Sequence, residues 1–290
     1  MQVVSLVTQG KGEKFRLGNV IGNTAAFLRR NAIFSIAVGT IFFALPLALI
    51  NLSTRYWPTL AFQLGAVGSG PWSTSVNLGF SLASGLIGTA PNLLGQAVLS
   101  QAAVGDTNGN RSSVARCVQT ALRHIFPVVG IGYAVYLAFF LARSGSAAVE
   151  LSNSPQAGGL VFLFLMIPCV VWGVGISVAV PVSVREGLGT AASMSRSQAL
   201  TKGYRWWIFG LVSVVVIGLL LALRLATAFG LAFVSLESLS LLAMVLLTFQ
   251  GAMASAIVWT VLSIVLATTY AELRRVKEGP GADELAEIFS

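Results

Sequence analysis

The chain has 290 residues, of which 56% are hydrophobic and 10% charged, and its formal net charge is +8. A soluble domain carries about 25% charged residues, so the composition excludes an ordinary water-soluble enzyme and a disordered tail, and the basic excess is too thin for a nucleic-acid-binding face. Two cysteines, Cys117 and Cys169, exclude a disulfide framework and a Cys-rich metal centre, and one histidine, His124, excludes any site needing two imidazoles.

The opening segment, residues 1–31, is basic. Its apolar run Val3-Val4-Ser5-Leu6-Val7 is too short for the core of a cleavable signal, and no basic residue precedes it. The first membrane span is therefore expected to act as an uncleaved signal anchor. Leu17–Arg30 reads as an amphipathic helix that ends in Arg29 and Arg30. Crossing ~30 Å of hydrocarbon takes roughly 20 apolar residues, and the uncharged stretch 31–54, of 24 residues, places a span near 32–52. The next stretch, 56–105, has 50 residues, and its first part holds Trp57, Pro58, Gln63 and several glycines, which is interfacial loop chemistry. The second span is expected near 75–103.

Ser112–His124 follows. Its Val114, Cys117, Val118, Ala121, Leu122 and Ile125 fall at i, i+3, i+4, i+7, i+8 and i+11, one apolar stripe of a 3.6-period helix. Further uncharged stretches at 125–142, 151–184, 206–223 and 238–271 place spans near 125–142, 158–183, 206–224 and 242–271. Leu188–Tyr204 is a third basic segment ahead of a span, and residues 273–290 form a charged tail. The expected fold is thus all-α: six transmembrane helices over 32–272, with basic interfacial helices before the first, third and fifth.

Charge distribution checks the count independently. With six spans, 15 Lys and Arg fall on the side of the chain ends and 3 on the other, namely Arg55, Arg143 and Arg224. By the positive-inside rule both ends are then cytoplasmic, and adding or removing one span would scramble the alternation. The three basic segments read as an internal repeat of amphipathic helix, span, outer loop and span. They read equally as the basic inner loops that any multi-span protein carries. An amphipathic helix of this kind lies in the headgroup plane with its cations toward lipid phosphate, which makes Arg29, Arg30, Arg123, His124, Lys202 and Arg205 the headgroup candidates. Trp57, Trp72, Tyr204, Trp206 and Trp207 are the candidate interface anchors.

The spans carry no ionisable residue at mid-depth; Arg224 lies near an outer end, where it can snorkel. In the second span Asn77, Ser81, Ser84, Gly88, Asn92 and Gln96 recur every three or four residues, interrupted by Pro91. This polar stripe is either a solute path, to which Gln250 of the sixth span could add, or a surface for close packing with neighbouring helices. The fourth span holds Pro168 and Pro181, which kink or break a helix. No nucleophile elbow, zinc-protease helix, phosphate-binding loop or cofactor pattern is present.

Three stretches carry a resemblance: Gly95-Gln96-Ala97; Pro181–Gly187 with Ser195–Trp206; and Tyr270–Arg274 with Lys277-Glu278-Gly279. In their order and spacing the chain resembles the bacterial membrane-domain family named after glycerophosphoryl diester phosphodiesterases, from about Phe15 to Phe289. The resemblance implies a six-helix membrane domain of the bacterial inner membrane, fused in some members to a soluble phosphodiesterase and standing alone in many. Catalysis of that type needs paired histidines and several metal-binding carboxylates, and this chain has one histidine. The expectation is a non-enzymatic membrane protein without cofactor or metal. It would contact phospholipid at the inner leaflet or serve a membrane-protein partner as an accessory subunit, with no role for nucleic acid. The competing expectation is a transporter or channel for a small or amphipathic solute along the second span.

Overall fold

The computed structural model describes residues 15–53, 71–107, 113–152, 154–231 and 241–279. Every regular element among them is a helix: α1 (Leu17–Arg30), α2 (Ala32–Ser53), α3 (Pro71–Thr107), α4 (Val114–Arg123), α5 (Ile125–Ser152), α6 (Pro155–Gly175), α7 (Ala179–Glu186), α8 (Thr190–Thr201), α9 (Arg205–Leu231) and α10 (Leu241–Glu278). Among the described residues, six stretches are long and apolar enough to cross a membrane: Ala32–Ser53, Leu82–Thr107, Ile125–Glu150, Gln156–Glu186, Arg205–Leu225 and Thr248–Glu278. The chain is a multi-pass membrane protein, with one span in each predicted place.

Local chemistry sets the helix ends. The Asn31 backbone N–H and side-chain amide both donate to the Phe27 carbonyl, closing α1 behind Arg29 and Arg30, whose charges suit a helix C-terminus. Ser113 caps α4 by accepting from the Arg116 N–H, and Ser154 caps α6 with Pro155 in the first turn. Gly187 ends α7 at φ 67°, a left-handed conformation that a Cβ would penalise.

Two spans depart from regular helix. In α2, Gly39–Ala44 form a π-helical turn. Gly39 there is pressed on α10, where an added Cβ would lie 2.6 Å from Thr260 Oγ1. The fourth span is broken between Gly175 and Ala179. Pro181 has no N–H, and its ring clashes with the carbonyl four residues back, at Ser177, so regular helix cannot run through this turn. Pro168 and Pro91, by contrast, sit inside continuous helices.

The sixth span is the central one. Of its most apolar stretch 56% is buried, against 11% for each of the fourth and fifth, whose apolar faces are open. Leu99, Phe27, Phe43, Ile264, Tyr270 and Leu273 are fully buried in the main core, which lies toward the end of the bundle where α1, α4, α7 and α8 gather. The second span packs through its glycines. A Cβ on Gly85 would fall 2.0 Å from Tyr136 Oη, on Gly88 2.3 Å from Ile50 Cδ1, and on Gly95 2.7 Å from Phe42 Cβ.

One span boundary needs correction, and two helices show what covers their inner faces. The third span does not end at Arg143, because α5 runs on to Ser152. Arg143 bonds Ser146 Oγ one turn ahead and lies 3.7 Å from Glu150, so the charges are accommodated along the helix. The chain then turns at Ser154 and Pro155. The amphipathic stripe of α1 is covered by protein: Val20 packs with Leu211 and Val265, and Thr24 hydrogen-bonds Thr268 of α10 at 3.0 Å. In α8 the covered face is Ser193, Ser197, Leu200 and Thr201, mostly hydroxyls where an apolar stripe is expected.

Candidate functional site

The first and third basic segments meet α3, α7 and α10 at one end of the bundle through ion pairs. Arg30 of α1 bonds Asp106 at the end of α3 at 2.5 Å. Glu272 of α10, 5% exposed, accepts from the Arg16 N–H, Asn19 Nδ2 and Arg275 Nη2 at 3.2–3.3 Å. Glu186 of α7 accepts from Arg196 Nε of α8 at 3.1 Å and from the buried Tyr270 hydroxyl of α10 at 3.0 Å. Glu278 is shared by Arg196 and Arg274. Stretches far apart in the chain, Pro181–Glu186, Ser195–Arg205 and Tyr270–Lys277, thereby converge. No sequence pattern marks the Glu186–Arg196–Tyr270 connection, because each partner comes from a different element.

Beside this layer, where α8 turns into α9, lies an open cleft of ≈ 590 Å³ lined by Ser195, Gln198, Lys202, Gly203, Arg205 and Trp206 among others. The turn exists because Gly203 takes φ 92° and the Tyr204 N–H closes back on the Thr201 carbonyl at 2.9 Å. Its outer strut is Lys277, whose Nζ donates to the carbonyls of Ala199 at 2.5 Å and Lys202 at 3.0 Å. The cleft also touches the break in the fourth span. A Cβ on Gly175 would lie 3.6 Å from Gln198 Cγ and 3.7 Å from the Arg205 guanidinium. The Gly175 carbonyl accepts from Ser197 Oγ at 3.0 Å and Thr201 Oγ1 at 3.1 Å, so α8 satisfies the backbone group that the break releases.

Of the headgroup candidates, Lys202 and Arg205 share the cleft. Arg205 Nε is buried without a hydrogen-bond partner, and among the described ion pairs none involves Lys202, Arg205, Arg29 or Arg123. Arg29 and Arg123 are exposed on α1 and α4, away from the cleft lining. Arg30 is committed to Asp106. His124 is half-buried and bonds its own helix, Nδ1 lying 3.0 Å from the Thr120 carbonyl, with Nε2 turned toward Gly187. Ser195 and Gln198 of the cleft escape sequence reasoning, since neutral polar residues on a short helix carry no charge or period signal.

The anchors divide. Trp206 is 80% and Trp207 61% exposed, as a membrane surface requires, whereas Tyr204 turns inward onto Phe15 with ring centroids 5.5 Å apart. Trp57 lies outside the described residues, as do the side chains of Trp72, Asn77 and Ser81. Along the second span Ser84, Asn92 and Gln96 are half-buried, and Asn92 Oδ1 is buried without a partner. Gln250 does not join them. It is exposed, about 200° around α10 from the buried Thr248, since two residues rotate a helix by that amount. Among the described residues no three His, Cys, Asp or Glu side chains converge on one point. No protein-family model, curated protein or solved structure matches the chain.

Proposed function

We propose that the chain is a non-enzymatic protein of the bacterial inner membrane, with both ends cytoplasmic, that holds or organises phospholipid of the inner leaflet. It does so alone or as an accessory subunit of a membrane complex. The observation that carries this reading is the cleft at the α8–α9 turn. It joins Lys202, Arg205 and the exposed Trp206 at the basic end of the bundle, neither cation being in a described ion pair. A cation near an anionic surface and an aromatic ring at the interface are the two elements of a headgroup contact. The 15:3 division of cations supports the sidedness. The likeness of Leu200-Thr201-Lys202-Gly203-Tyr204-Arg205 to the phosphodiesterase-associated membrane domains fits the same reading.

The test is co-purification in mild detergent followed by mass spectrometry of lipids and proteins. Wild-type protein should retain phospholipid that the Lys202→Gln/Arg205→Gln variant loses. Equal lipid in both sinks the reading. A second reading, a solute path along the second span, has Asn92 as its observation, with Oδ1 buried and unpartnered. It predicts solute flux in proteoliposomes that Asn92→Leu blocks. The close glycine contacts of that helix with Tyr136, Ile50 and Phe42 favour packing instead.

A further inference from the structure

We propose that the cleft selects an anionic phospholipid whose headgroup bears hydroxyls and no ammonium, with the phosphate between Lys202 and Arg205 and the headgroup hydroxyls on Ser195 and Gln198; this rests on the phospholipid-contact reading above.

Charge decides the class. The lining contributes two cations, two neutral side chains that both donate and accept hydrogen bonds, one indole N–H donor and no carboxylate. The acids of the surrounding layer are engaged: Glu186 by Arg196 and Tyr270, and Glu278 by Arg196 and Arg274. Lys277, fixed on the carbonyls of Ala199 and Lys202, adds a third positive charge beside the rim. An ethanolamine or choline headgroup would bring its own cation into this field with no anion to receive it. A phosphate supplies the counter-charge for Lys202 and Arg205, neither of which takes part in a described ion pair. Ser195 and Gln198 stand one turn apart on α8 and can both donate and accept, which suits a hydroxylated headgroup.

The same chemistry would also bind a free phosphate ester, and the apolar surroundings favour the lipid. Trp206, Gly210, Val214, Ile217, Leu221 and Leu225 form one exposed stripe that begins at the cleft and runs down α9. Acyl chains lie along this stripe when the phosphate is seated.

The test uses the full chain in detergent and native mass spectrometry. The probes are dioleoyl phosphatidylglycerol, dioleoyl phosphatidylethanolamine, dioleoyl phosphatidate and soluble glycerol phosphate. Wild type should take up phosphatidylglycerol in preference to phosphatidylethanolamine. Lys202→Gln and Arg205→Gln should each weaken it about fivefold, with Lys202→Arg restoring it. Ser195→Ala/Gln198→Ala leaves the charge intact and should lower the preference for phosphatidylglycerol over phosphatidate, a readout that stands even if a charge variant misfolds. Excess glycerol phosphate should not displace the lipid.

Equal uptake of the two lipids by wild type overturns the headgroup selection and leaves the phospholipid-contact reading standing. Lipid uptake unaffected in the Lys202 and Arg205 variants overturns both. An equal loss from Arg29→Gln/Arg123→Gln would show a diffuse basic surface and overturn the site. Displacement by glycerol phosphate would assign the cleft to a soluble ester.

Discussion

The break in the fourth span gives a prediction with a sign and a size. The Gly175 carbonyl faces the protein interior and has two donors, Ser197 Oγ and Thr201 Oγ1, both on residues with no exposed surface. Ser197→Ala removes one donor and leaves the other in place. Thr201→Val does the converse and keeps the side-chain shape. Each single loss should cost about 1 kcal/mol, the net value of one ordinary hydrogen bond. The double variant differs in kind, because the carbonyl is then buried with no partner and its full desolvation penalty of about 1–3 kcal/mol appears. The effects should therefore be more than additive, with a coupling of about 1–3 kcal/mol between side chains that meet on one acceptor. At about 2–4 °C per kcal/mol, each single variant should melt a few degrees below wild type, and the double variant further below than their sum. Intrinsic tryptophan fluorescence during a thermal ramp in detergent reads this directly. Strict additivity, or a double variant as stable as wild type, would refute the claim that α8 holds the broken span through this carbonyl.

Other outcomes follow from packing, burial and sidedness. Gly95→Ala should destabilise by about 1–3 kcal/mol, since the new methyl meets Phe42 Cβ next to the backbone, whereas Gly88→Ala meets only the movable end of Ile50 and should be milder; equal melting points would contradict the geometry. Cys117 is 1% exposed and burial raises its thiol pKa, so the thiolate is scarcer than usual at pH 7 and maleimide should modify it slowly until pH rises or the protein is denatured. In a cysteine-free background, Ala148→Cys should be labelled from outside the cell and Lys202→Cys only after permeabilisation; Ser146→Cys should resist both, because that side chain is fully buried. Labelling of Lys202→Cys from outside would invert the topology. Purified protein given a glycerophosphodiester and divalent metal should show background turnover, because phosphodiester hydrolysis needs converging metal ligands; metal-dependent turnover lost in Glu186→Gln would overturn the non-enzymatic reading.

Much of the architecture is legible because lipid leaves so few choices. An uncharged stretch of some 20 residues has to become a helix, so the gaps between charges locate the spans, and Leu17–Arg30 is found to the residue. Charges near span ends mislead. Arg143 marks a boundary only if its partners lie elsewhere, and here they are Ser146 and Glu150, on the same helix. Amphipathy is likewise ambiguous about what covers the apolar stripe. For α1 the answer is α10, reached through Val20, Thr24 and Phe27.

The site is less legible, for a reason that the prolines make concrete. Pro91, Pro168 and Pro181 all stand in spans, yet only Pro181 accompanies a break. A proline removes the same donor in each case. What the break adds at Pro181 is a second free carbonyl, that of Gly175, whose helical donor Ala179 turns to Ile176, and α8, more than twenty residues downstream, satisfies it. The spacing of Ser197 and Thr201, one turn apart, records that role, but hydroxyls at a helical period do not say what they face: Ser193, one turn earlier, bonds the Leu188 carbonyl instead. The cleft is set by the same arrangement. Because α8 is held on the broken span by hydroxyls and tied to α7 and α10 by Arg196, the turn at Gly203 brings Lys202 and Arg205 to one place and leaves Arg205 Nε without an internal acceptor. The two cations of the cleft stand beside an open apolar stripe, and this is where the proposed phospholipid would sit, since in a membrane the nearest abundant anion is lipid phosphate.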